Sequence, residues 1–212
     1  MNAGAWIALA AAAAVAVVDW VAVARRAKRW ERIAKPLVPV LLIAVALTID
    51  PARADARPWF VAALVASLVG DVLLLLPHAF VPGLGAFLLA HVAYIVGLNV
   101  DGGGGVAALS TGAVVLGAAV VLVGRRLLAG MAARGGSRER LPVIVYMTVI
   151  AAMGASAVAT GRVLPAAGAL LFMASDALIG WRRYVHEEGW MNVVVMVTYH
   201  VGQAMLVLSL AA

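Results

Sequence analysis

The chain is predicted to be an all-α integral membrane protein of eight transmembrane helices, and three observations predict it. Of its 212 residues, 65% are hydrophobic and only 12% charged, against roughly 45–50% and 25% in a soluble domain. The apolar residues come in runs close to the ~20 residues that cross a bilayer. Short turns separate the runs, and the Arg and Lys collect there. Each run is expected to be helical, because lipid offers no partner to unpaired backbone groups.

The first run, 3–24, is followed by a basic stretch, 25–32. A cleaved leader carries its positive charge ahead of its apolar stretch, so this run is expected to be a retained first helix. The second, 36–50, opens on Pro36 and is, with the seventh, the shortest. Runs 58–77 and 82–100 follow, then the glycine run 102–105, expected as a flexible turn because it lacks the strand and lysine of a phosphate loop. Runs 106–128, 141–160 (opening on Pro142), 163–181 and 191–211 complete the set. The longest loop, about 125–140, holds Arg125, Arg126, Arg134, Arg138 and Arg140. No linker or soluble unit stands out, so 1–212 is expected to be one domain.

The net charge of +6 would suggest nucleic acid in a soluble domain. Here the basic residues lie where topology requires them, and nucleic acid is not an expected partner. Of the 16 Lys and Arg, all but Arg53, Arg57 and Arg162 fall in turns on one side. The positive side is cytoplasmic, which predicts a multi-pass cell-membrane protein with both termini on the non-cytoplasmic side. There is no cysteine, which excludes disulfides, thiolate nucleophiles and Cys-ligated metal.

Asp71 and Asp176 each sit inside a long apolar run. A carboxylate there costs about 2.5–3.5 kcal/mol by insertion scales and by default marks a functional site. Counting from the expected helix ends, each lies roughly 8–9 Å from the basic side. Lys35, Tyr146, His91, Tyr94, Tyr199, His200 and Gln203 also fall mostly in that half, which predicts one cavity opening toward the inner leaflet. Gly83, Phe87, His91 and Tyr94 step along one helical stripe, as do Asn192, Tyr199 and Gln203. His200 is turned about 100° from Tyr199 and is expected to face elsewhere.

Plainer roles stand beside these. The carboxylates can be structural, paired with Lys35 or hydrogen-bonded to Tyr or Ser. His91 and His200 can bridge helices, and Lys35 can snorkel to the headgroups. Trp181 and Trp190 suit an aromatic belt, and Asp19 is expected to be structural. The halves also resemble each other. Pro36 and Pro142 are 106 residues apart, Asp71 and Asp176 105, His91 and His200 109. Such offsets suggest two parallel four-helix repeats, 1–104 and 105–212, although chance agreement stays open in so Ala- and Val-rich a chain.

These residues resemble the pattern of the YhhN family, which includes the transmembrane lysoplasmalogenases. The resemblance runs through Lys35-Pro36, Gly70-Asp71, the Gly83/Phe87/His91/Tyr94 stripe and Tyr146. It continues through Gly168, Phe172, Ser175 and Asp176 to Tyr199 and Gln203. His200 lies outside it. The resemblance implies a multi-pass hydrolase that cleaves the vinyl ether of a lysophospholipid, giving a fatty aldehyde and a glycerophospho-alcohol. It implies Asp71 and Asp176 as the catalytic pair and requires no cofactor. Lys35, His91, Tyr94, Tyr146, Ser175, Tyr199 and Gln203 become substrate-binding or orienting residues.

Vinyl ether hydrolysis suits two carboxylates independently. One, kept protonated by an apolar site, protonates the β-carbon. The other stabilises the oxocarbenium ion and activates water. The residues do not say which is which. Lys35 and nearby arginines are candidates to hold the lipid phosphate. The rival readings are a proton-coupled lipid or solute transporter using the same aspartates and a metallohydrolase with Asp71, His91, Asp176 and His200 as ligands. An intramembrane aspartic protease is disfavoured, because Leu68-Val69-Gly70-Asp71 lacks the first glycine of a Gly-x-Gly-Asp context.

Overall fold

The computed structural model describes residues 1–100, 105–134 and 137–211. Among them eight α-helices follow one another: α1 Ala3–Ala24, α2 Lys28–Thr48, α3 Arg57–Leu74, α4 Phe80–Asn99, α5 Val106–Ala133, α6 Arg140–Ala159, α7 Val163–Tyr184 and α8 Gly189–Leu208. Short 3₁₀ turns lie at Ala54–Ala56, Ser137–Glu139 and Ser209–Ala211. Residues 102–104 of the glycine run, expected as a turn, lie outside the described residues.

Seven of the helices are long and apolar enough to cross a membrane, not the eight expected. The exception is α2, whose first turns carry Lys28, Arg29, Glu31, Arg32 and Lys35. It nevertheless returns along the whole of α1, since the Asn2 side-chain amide, at the start of α1, donates to the Thr48 carbonyl at the end of α2. Pro36 does not open this helix, and both Pro36 and Pro39 lie inside it. Lys, Arg and Glu are good helix formers, Glu31 favours the positive end of the helix, and Lys28 pairs with Glu31 at 2.9 Å. Together these carry the helix upstream of the prolines despite the backbone bonds they remove.

Other boundaries move for similar reasons. α5 continues to Ala133, so Arg125 and Arg126 lie on a helix rather than in the loop expected over 125–140. α7 runs to Tyr184, beyond Trp181. α3 stops at Leu74, a little before Leu76-Pro77, where a proline disfavours helix in the residue before it.

Neighbouring helices alternate in direction. At one end the Ala52 amide donates to Leu210 O, Arg53 to Leu98 O and Arg162 to Ser209 O. At the other, Arg134 donates to Val185 O and Arg183 pairs with Glu139. The second end, with the α1–α2, α3–α4, α5–α6 and α7–α8 turns, is the basic end.

The bundle is apolar outside and partly polar inside. Trp6, Ile7, Leu89, Val114 and Leu122 are exposed, whereas Asp19, Lys35, Asp71, His91 and Gln203 are buried. That inversion fits a lipid-facing surface and an interior built for polar work. α1 contributes a narrow stripe of Ala12, Ala16 and Asp19 to the interior. α7 and α8 meet backbone to backbone: a Cβ on Gly168 would stand 2.8 Å from Gly202 O, and one on Gly202 the same distance from Gly168 O. Small residues at such crossings let helices approach closely where lipid removes any hydrophobic drive.

Gly202→Val is therefore expected to destabilise the bundle by about 1–3 kcal/mol, the usual cost of overpacking. Thermal unfolding in detergent should show a lowered midpoint. Gly117→Ala, where a Cβ meets nothing within 4 Å, should show no loss.

Candidate active site

The two intramembrane carboxylates are held in different ways. Asp71, in the last turn of α3, is 1% exposed. Lys35 Nζ on α2 stands 3.4 Å from its Oδ1, and Tyr199 OH on α8 donates to its Oδ2 at 2.7 Å. Both oxygens are engaged, one by a cation and one by a phenol. This is the plainer role weighed for Asp71. It also removes Lys35 from the headgroup region, since its ammonium is spent inside the bundle and the residue is 6% exposed.

Asp176 lies mid-way along α7, its side chain 9% exposed. Tyr146 OH on α6 donates to its Oδ2 at 2.5 Å, and His91 Nε2 on α4 stands 3.1 Å from the same oxygen. His91 Nε2 is also 2.9 Å from Tyr146 OH, and its Nδ1 is 3.3 Å from Met153 Sδ. A carboxylate only accepts, so the imidazole presents N–H at Nε2 to that oxygen. Oδ1 has no partner among the described residues.

The free oxygen matters because Asp176 and Tyr146 line a cavity of about 270 Å³ between α4, α5, α6 and α7. The rest of its wall is almost wholly apolar: Phe87 and Leu84, Val120 and Val123, Met147 and Ile150 among others. Tyr184 and Phe80 lie toward the basic end. Asp71 is not in this wall. The expectation that both carboxylates face one space is thus corrected: Asp176 reaches the cavity, and Asp71 is sealed into packing.

Aromatic rings separate the two. Phe172 on α7 packs 4.7 Å from the His91 ring and 5.2 Å from the Tyr199 ring, centroid to centroid. Phe87 packs edge-on against Phe172 and Tyr199. Gly70 on α3 makes room for the Phe87 ring, and Gly83 on α4 for the Leu74 side chain.

The remaining expected residues sort as follows. Tyr94 OH donates to Gln203 Oε1, and Gln203 Nε2 donates to Ser67 Oγ at 2.8 Å. This fully buried strut ties α4 to α8 and α3 and touches neither carboxylate, apart from a long 3.5 Å contact of Gln203 with Tyr199 OH. Ser175 donates to Val195 O at 3.1 Å, joining α7 to α8 rather than orienting Asp176. Asn192 leaves the Tyr199–Gln203 stripe and reaches Glu187 in the turn. His200 faces away from the site, as expected. Its Nδ1 accepts from Trp20 Nε1 at 3.1 Å, which places the ring proton on Nε2, a buried atom with no partner among the described residues. Asp19 is wholly buried, and both its oxygens lack partners among the described residues. Among the described residues no three His, Asp or Glu gather as a metal site, so the four ligands weighed for a metallohydrolase do not assemble.

Met153, Arg183, Tyr184 and Glu139 were not singled out by sequence reasoning. A signal existed for two of them. Arg183 and Tyr184 follow Asp176 by seven and eight residues on α7, which puts them on its face two turns nearer the basic end. Glu139 and Met153 carry no such signal.

The chain matches the YhhN family over residues 30–210. It is 31% identical over 172 residues to the human protein "Lysoplasmalogenase TMEM86B", covering 81% of this chain and 72% of that one. It is 36% identical over 151 residues to "Lysoplasmalogenase" of Mycobacterium tuberculosis (strain CDC 1551 / Oshkosh), covering 68% of this chain and 57% of that one. The chain thus spans little more than half the length of the mycobacterial relative. No solved structure matches it. A family match over nearly the whole chain, on the helices that carry Lys35, Asp71, His91, Tyr146, Asp176, Tyr199 and Gln203, shows that this multi-helix membrane protein belongs to the YhhN family.

Proposed function

We propose that the protein is an intramembrane hydrolase that cleaves the vinyl ether of lysoplasmalogen-like lysophospholipids, with Asp176 as the group that acts on the substrate. The observation that carries this reading is the state of Asp176, which lines an apolar cavity: one oxygen is clamped by Tyr146 and His91, and the other has no partner among the described residues. The relatives named lysoplasmalogenase support the reaction type.

Two donors on Oδ2 leave Oδ1 as the place for a proton. An alkenyl chain lying in the cavity brings its vinyl ether to that oxygen. Proton transfer from Oδ1 to the β-carbon makes an oxocarbenium ion. The carboxylate left behind stabilises that cation, then takes a proton from the water that attacks the α-carbon. The hemiacetal collapses to aldehyde and glycerophospho-alcohol. One water is consumed and Asp176 regains its proton, so no cofactor is needed. Phe172 and Phe87 keep the site dry and hold His91 in place.

In this reading Asp71 is a positioning residue. Its pair with Lys35 fixes α2, α3 and α8, and Tyr199 carries that order to Phe172. The same two-sided arrangement supports a pair of four-helix repeats, 1–104 and 105–212. Asp71 on α3 is held from α2 and α8, Asp176 on α7 from α6 and α4. Tyr94 and Gln203, 109 residues apart like His91 and His200, bond to each other as residues near a pseudo-twofold axis would. The Lys/Arg distribution supports placing the basic end in the cytoplasm and both termini outside, with α2 as the eighth span.

Asp176→Asn should lower turnover of a lysoplasmalogen by roughly 10²–10⁴-fold, the usual contribution of a positioned acid–base group, without loss of folded protein. Aldehyde release in detergent measures it; wild-type turnover would end the assignment. Tyr146→Phe should cost roughly 10–100-fold, the worth of one hydrogen bond to a charged group. If instead the cavity serves transport, Asp176→Asn would block uptake by proteoliposomes containing a protein that releases no aldehyde.

Asp71→Asn should act first on stability. It leaves Lys35 buried without its counter-ion, which costs about 3–5 kcal/mol, while removing both charges is often close to neutral. The double change Lys35→Met with Asp71→Leu should thus recover much of the thermal stability that Asp71→Asn alone loses. A fully stable Asp71→Asn would contradict this role.

A further inference from the structure

Beside the cavity, at its basic end, a guanidinium is engaged by a carboxylate in the way it would engage a phosphate. Arg183 Nη2 donates to Glu139 Oε1 at 2.6 Å and its Nε to Oε2 at 3.1 Å. Its Cζ stands 3.9 Å above the Phe80 ring centroid, and its Nε is 3.2 Å from Tyr184 OH. Tyr184 OH itself donates to Glu139 Oε2. Phe80 and Tyr184 both line the cavity, so the pair sits over the cavity's rim. The side chains stay open to solvent, 39% for Arg183 and 25% for Glu139.

Three other cations toward the basic end are committed elsewhere. Lys35 is locked to Asp71 inside the bundle, Arg182 pairs with Glu187 at 2.8 Å, and Arg134 holds the Val185 carbonyl. A planar guanidinium fork fits the paired oxygens of carboxylate and phosphate alike. Glu139 is carried by a short 3₁₀ turn rather than by a long helix. The Arg183 hydrogen bonds hold its carboxyl below the usual glutamate range, so it is ionised near neutral pH.

The spacing is that of a lysophospholipid. Arg183 follows Asp176 by seven residues on α7, which is the same face about 10 Å along the axis. In the substrate seven bonds separate the vinyl β-carbon from the phosphorus, about 8 Å when extended at the rise per bond of an extended chain. With the reacting carbon at Asp176 and the tail deeper in the cavity, the phosphate falls at Arg183.

We propose that Arg183 is the phosphate-recognition residue of this site, and that Glu139 is its resting occupant, displaced when a lysophospholipid enters. This rests on the hydrolase reading for the position of the reacting bond. It adds a specificity determinant: single-chain lipids that bear a phosphate are preferred because only they exchange with Glu139. Arg183 does not touch the reacting atoms.

The test compares a 1-alkenyl glycerophosphoethanolamine with a 1-alkenyl glycerol of the same chain length, using the full-length protein in detergent. Arg183→Gln should lower the ratio of kcat/KM for the phospholipid over the phosphate-free ether by roughly 10–100-fold, the worth of a charge-assisted contact. The loss should lie mainly in KM. Glu139→Gln should raise the same ratio several-fold, by removing the competitor. Binding of a saturated 1-alkyl lysophospholipid reads the contact without turnover and should weaken in Arg183→Gln as the ratio does. If the wild type cleaves neither ether while Arg183→Gln still loses binding, the hydrolase reading falls and Arg183 stands as the phosphate-binding residue. An unchanged ratio and unchanged binding in Arg183→Gln, or an unchanged ratio in a folded Glu139→Gln, would overturn the proposal.

Discussion

A carboxylate inside a helical bundle in lipid has to be matched where it stands, because no water is at hand to solvate it. At Asp71 and Asp176 this protein meets that constraint in opposite ways, whereas the buried Asp19 has no hydrogen-bond partner among the described residues. Asp71 is matched by a full counter-charge from Lys35 and a phenol from Tyr199, so both oxygens are occupied. Asp176, which lines the cavity, is matched by donors on Oδ2 alone, Tyr146 and His91, and its Oδ1 has no partner among the described residues. The first arrangement ties α2, α3 and α8 together through one carboxylate. The second ties α4 and α6 to α7 and leaves one carboxylate oxygen without a partner among the described residues. The rest of the architecture serves to keep these two environments apart.

That separation is the work of rings. Phe172 stands between His91 and Tyr199, with Phe87 packed edge-on beside it. Large rings need space beside helix backbones, and Gly70 provides it for Phe87: a Cβ there would lie 2.6 Å from the ring. Gly168 instead lets α7 and α8 approach backbone to backbone. The Tyr94–Gln203–Ser67 strut braces the same region with hydrogen bonds that involve neither acid.

Much of the fold was legible in the sequence, because each hydrophobic run in a membrane protein marks a helix, and the eight runs became eight helices, seven of them long and apolar enough to cross a membrane. The ends of the helices were not. Apolar runs mark where lipid begins, whereas backbone hydrogen bonding carries α2 upstream of its apolar part to Lys28, α5 through Arg125 and Arg126, and α7 past Trp181. Proline misled at Pro36, where flanking helix formers and tertiary contacts outweigh the lost bond. For the site, the helical stripe of Gly83, Phe87, His91 and Tyr94 was readable as one buried face, and His200 as turned away. Partner choice was not readable. Nothing local says that Lys35 meets Asp71, that Tyr146 and His91 share one oxygen of Asp176, or that Ser175 bonds a carbonyl on α8. Those depend on how the helices are rotated about their axes. Nor did spacing show that one carboxylate alone would reach the cavity, since the two occupy matching places in the halves of the chain.

The most direct measurement is a structure of the Asp176→Asn protein with an intact 1-alkenyl lysophospholipid bound. The hydrocarbon chain is expected in the cavity between α4, α5, α6 and α7, with the vinyl ether carbons against the residue 176 amide and Asp71 still paired with Lys35. Density placing the vinyl ether beside Asp71, or along the lipid-facing surface with the cavity vacant, would contradict Asp176 as the group that delivers the proton.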